Sequence, residues 1–101
     1  MTNYALTYYA EPNLATQAHG DQTKFRTWLG RLGDAVVNPG MPLGMPKIVS
    51  ADGVSDNDGS KRRSTGFSIV TADNMDAALE MVKDCPFLEM GTVEVAEVFE
   101  M

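Results

Sequence analysis

The chain has 101 residues, 44% of them hydrophobic, and 14 acidic against 8 basic side chains give a formal charge of −6. That length makes one domain, residues 1–101, and the apolar content argues against disorder. The acidic balance speaks against nonspecific nucleic-acid binding and against an anionic membrane surface.

Residues 3–9 read as a strand, with Tyr4, Leu6 and Tyr8 on one face and Ala5, Thr7 and Tyr9 on the other. Both faces carry apolar surface, so both are expected to be covered. Residues 11–20 form a loop with Pro12 and Gly20. A helix is predicted over 21–32, because Phe25, Trp28, Leu29 and Leu32 share one face at the helical period. Asp21 can cap its start and Gly33 can end it with a positive φ. Gly30, inside it, is expected to let the helix approach the sheet.

A short strand follows at 35–37, then a loop over 38–46 punctuated by Pro39, Gly40, Pro42, Gly44 and Pro46. Residues 47–51 can pair with 54–56 across Asp52-Gly53, a strong hairpin signal. Residues 56–64 are polar and expected to be mobile, with the basic run Lys61-Arg62-Arg63 read as solvated and, as the alternative, as an anion site or a clamp on the partner subunit. A strand is predicted at 66–71. A helix then starts at an Asp73 cap and buries Met75, Ala78, Leu79 and Val82. Pro86 stops it, and residues 92–100 make the last strand.

The order is β-α-β-β-α-β with a hairpin insertion, which predicts an α+β, ferredoxin-like fold. Two helices cover one face of such a sheet. The other face would expose apolar side chains unless a second copy closed it, so a homodimer is expected.

Gly66-Phe67-Ser68-Ile69-Val70, then Ala72-Asp73-Asn74-Met75-Asp76-Ala77-Ala78, then Cys85-Pro86 resembles the YCII-related family, in its DGPF-like branch. Leu32-Gly33-Asp34-Ala35-Val36-Val37-Asn38-Pro39-Gly40 and Val93-Glu94-Val95-Ala96-Glu97 fit the same resemblance, which covers nearly the whole chain. It implies a ferredoxin-like subunit in a dimeric α/β barrel. Two features depart from the family pattern. Asp58-Gly59 is followed by Ser60-Lys61, so the Asp-Gly-Pro-Phe signature is absent. The family also places a histidine early in the first helix, paired with an acid near the second strand. Asp34 suits the acid, while Thr23 stands near the histidine position and the single histidine, His19, lies about one turn earlier.

His19 and Asp34 are nevertheless the candidate catalytic pair, since an aspartate can fix a histidine tautomer and support proton transfer near neutral pH. A pocket is expected between the sheet and its twofold-related partner, with Tyr8 and Phe67 as ligand-binding walls and His19 and Asp34 near its entrance. Glu97 joins that ligand set as an acid on the Val93–Val95 face, where burial would raise its pKa. Cys85, at a helix end beside Asp84, is expected to be buried and unreactive. The methionines are read as core or interface fillers. One histidine and one cysteine make no metal-ligand cluster, and no cofactor is expected.

Two functions compete. One is a small-molecule-binding or regulatory domain without catalysis. For that reading the resemblance adds a sigma-factor-like regulatory partner, because some DGPF-type relatives are associated with such regulators. The alternative is a cofactor-free lyase or isomerase using His19 and Asp34 on a small substrate, with aromatic compounds among the candidates. No apolar run approaches the ~20 residues of a membrane span. Met1-Thr2-Asn3-Tyr4 lacks the basic start of a signal peptide, and one cysteine allows no internal disulfide, so the expected setting is the cytoplasm.

Overall fold

In the computed structural model, which describes residues 1–10, 23–56, 62–89 and 91–99, strand β1 (Thr2–Ala10) buries alternate side chains. Tyr4, Leu6, Tyr8 and Ala10 are buried, while Ala5, Thr7 and Tyr9 are only partly so. Helix α1 (Thr23–Leu32) follows and turns through a 3-10 segment (Gly33–Ala35) into β2 (Val36–Asn38). Gly33, at φ 56°, ends the helix in the left-handed region as expected. Asp21 lies outside the described residues. Gly30 is exposed and faces open space, so it does not bring α1 closer to the sheet.

Strands β3 (Lys47–Ser50) and β4 (Gly53–Asp56) form the expected hairpin, with the turn at Ala51-Asp52, one residue earlier than predicted. Strand β5 (Arg63–Ala72) is longer at both ends than the pattern indicated. Arg63 is 5% exposed at its start and donates to Met45 Sδ, so the basic run is not wholly solvated. Most of the segment predicted to be mobile, 57–61, lies outside the described residues.

Helix α2 (Met75–Val82) is capped by Asn74 rather than Asp73: the Asn74 side chain accepts a hydrogen bond from the Ala77 amide at 2.9 Å. The helix buries Ala78 and Val82, flanked by half-buried Ala77 and Met81. Met75 and Leu79 are exposed, so the buried stripe lies roughly a quarter turn from the expected one. Beyond Pro86 a 3-10 turn (Pro86–Glu89) drives Phe87 into the core before β6 (Gly91–Glu97).

The four long-range strands pair antiparallel in the order β2-β5-β1-β6, and the hairpin forms a separate two-stranded sheet. The molecule is α+β and compatible with a ferredoxin-like fold. The core lies between the inner sheet face and the helices. Tyr4, Leu6, Tyr8 and Val70 meet Trp28, Ala78, Val82 and Phe87 there. Trp28 Nε1–H donates to the Met81 carbonyl at 3.0 Å, which ties α1 to the end of α2.

Candidate functional site

The two faces of the sheet differ in chemistry. On the inner face, the Tyr8 hydroxyl donates to Ser68 Oγ at 2.9 Å, and Ser68 Oγ donates to the Pro39 carbonyl at 2.8 Å. The Tyr8 ring lies edge-on to Phe25 and tilted against Phe87, with centroids 5.2 and 5.5 Å away. Burial pushes the Tyr8 phenol well above its ordinary range, and the Ser68 hydrogen bond offsets only part of this. Burial also pushes the Cys85 thiol up to about 11. A buried thiol held protonated in this way is a poor nucleophile near neutral pH, and both groups serve the packing of the core.

The outer face is set by strand register. Thr7 stands between Phe67 on β5 and Glu94 on β6, and Ala5 stands between Ile69 and Ala96. Tyr9 pairs with Thr92 at the next position along. Arg62, just before β5, lies over the Tyr9 ring with its guanidinium carbon 4.2 Å from the centroid. Its Nη2 meets Glu94 Oε2 at 3.4 Å. The result is a patch with an aromatic wall, a hydroxyl at its centre and an oriented cation–carboxylate pair at its rim. Phe67 keeps 36% of its surface exposed there. A flat arginine held by an aromatic ring is suited to planar, anionic or amide-bearing groups.

The residues singled out from sequence are distributed over both faces. Tyr8 pairs with Gly66, so Phe67, one residue on, projects from the opposite side of the sheet. Tyr8 belongs to the core and Phe67 to the outer patch, and one cleft cannot be lined by both. Glu97 stands across from Tyr4, on the inner side, where β6 runs out; it is exposed, while Val93 and Val95 on the same side are half-buried. The β1–β6 register carries no bulge, so Glu94 takes the outer face in its place. Asp34 is exposed in the 3-10 segment between α1 and β2. His19 lies outside the described residues. Among the described residues no group of three or more histidine, cysteine, aspartate or glutamate side chains could hold a metal ion.

A sequence model of the YCII-related domain matches residues 2–101. The chain belongs to that family. No curated protein matches it significantly. In this YCII-related chain, sequence reasoning left Thr7, Tyr9 and Glu94 out of the site and read Arg62 first as part of a solvated basic run. The alternation of β1 did place Thr7 and Tyr9 together on the second face. The signal that could have extended this to a site is the parity of β6: Glu94 must oppose Glu97, so one of the two acids faces away from the helices. The seat of Arg62 depends on where β5 begins, and β5 begins three residues before the apolar pattern does. Among the described residues of the YCII-related chain, no helix is long and apolar enough to cross a membrane.

Proposed function

We propose that this YCII-related chain is a small-molecule-binding domain without catalysis, acting in the cytoplasm as a homodimer in which the outer sheet face holds the ligand. The observation that carries the reading is the outer row Phe67–Thr7–Glu94 with Arg62 laid across Tyr9. An aromatic wall, a hydroxyl and a fixed guanidinium together select a small, flat compound with a carboxylate or amide end. The dimer belongs to the same proposal, as does placement in the DGPF-like branch with its dimeric α/β barrel. Two such faces turned towards each other would enclose the patch and exclude water from it.

The test is a thermal-shift screen of small aromatic acids and amides. Binding to the native state raises the melting temperature by mass action. A hit should lose its shift in Phe67→Ala and Arg62→Gln while both variants keep their fold. A hit that survives both substitutions would remove the ligand from this face. Turnover of a hit that disappears in both His19→Ala and Asp34→Asn would favour the alternative lyase or isomerase over a binding domain.

A further inference from the structure

The chain between β2 and β5 carries apolar side chains that nothing in the described molecule buries. Met41 and Met45 are exposed along it, and Val49 and Val54, directly opposite each other across the hairpin, keep 77% and 66% of their surface. Strands β3 and β4 pack chiefly on each other. A two-stranded hairpin is marginally stable in water by itself, so one this apolar needs a surface to lie on. Its base is locked: Lys47 and Asp56 are paired in register and form a salt bridge, which neutralises both charges beside the valines.

The root of the segment is fixed on the sheet. The Gly40 α-carbon passes so close to the Phe67 carbonyl that an added β-carbon would stand 1.6 Å from the oxygen. Pro42 bridges Gly66, and the Leu43 amide donates to the Thr65 carbonyl at 2.8 Å. The hairpin therefore leaves from the β5 edge of the sheet, and Val37 and Phe67 near that edge are themselves exposed.

We infer that the β3–β4 hairpin is an intersubunit arm, whose Val49–Val54 side lies on the outer sheet surface of a second copy against Val37 and Phe67. The inference rests on the homodimer proposed above. Both uncovered surfaces belong to one chain, and a twofold axis lets each copy's arm cover the other's exposed margin at once. Val37, Val49, Val54 and Phe67 keep 53%, 77%, 66% and 36% of their surface exposed, apolar area of the kind that an interface between copies buries. The arm would also complete the ligand patch, closing the Phe67 side with residues from the other copy.

The experiment measures mass by light scattering for the full chain and two double variants. Val49→Asp with Val54→Asp should be monomeric at micromolar concentration, with the wild-type circular dichroism and Trp28 fluorescence. Val49→Thr with Val54→Thr keeps the β-branched shape of the hairpin, so it decides the matter if the aspartates unfold the chain. It should weaken the dimer at least about tenfold. A dimer of unchanged affinity in a folded double variant overturns the arm and leaves the homodimer standing. A monomeric wild type overturns both.

Discussion

Ser68 is fully buried, and its hydroxyl receives one proton from Tyr8 while giving its own to Pro39. Removing it strands two polar groups in the interior. Ser68→Ala should therefore destabilise by roughly 1–3 kcal/mol, more than Tyr8→Phe, which removes one hydroxyl and leaves Ser68 bonded to Pro39. Chemical denaturation of the two variants checks the order. Cys85 adds a pH dependence. Its thiol rises from 9.0 to about 11 on folding, so the folded state favours the protonated form. The stabilising contribution is complete below about pH 9, is lost as pH rises towards 11, and amounts to roughly 3 kcal/mol at most. Tyr8 shifts in the same direction and extends the loss to still higher pH. Cys85→Ala should flatten the stability profile between pH 9 and 11, and equal slopes in the two proteins would show that the thiol does not contribute.

At the scale of elements, α2 shows what a helical period can and cannot decide. Met75–Val82 is apolar at every position except Asp76 and Glu80, so several faces satisfy the i, i+3, i+4 rule. The choice falls to the neighbours. Ala78 and Val82 are the positions of the helix that join Tyr4, Tyr8 and Phe87 in the buried cluster. Leu79 keeps 48% of its surface exposed against 7% for Val82. Val82→Ala should cost roughly 2 kcal/mol and Leu79→Ala well under half of that, as read by urea unfolding. The strands were more legible, because a period of two leaves only two faces and the central strand β1 alternates cleanly. The β6 acids were legible by the same parity, but which acid met the helices depended on register with β1, and register is a pairing between distant segments. The start of β5 was hidden for a related reason. Arg63 reads as solvent-facing until Met45, eighteen positions earlier in the chain, comes to lie against it.

For the whole molecule, the strand order puts β1 and β5 at the centre, each paired on both sides. Their amides should be the slowest to exchange with deuterium, because releasing them requires the sheet to open. A slower set in any other element would mean that a different part of the fold opens last. The two margins of the sheet are finished differently. On one side β6 ends the sheet with Glu94 and Glu97. On the other, β2 is only three residues long and is succeeded by a segment with proline at 39, 42 and 46. Prolines offer no N–H to an incoming strand, so these three interrupt the row of donors that further pairing at this margin would need. The consequence concerns shelf life. Replacing Pro39, Pro42 and Pro46 with residues that can donate should leave the melting temperature little changed, yet hasten thioflavin-positive fibre growth in concentrated, gently warmed solutions.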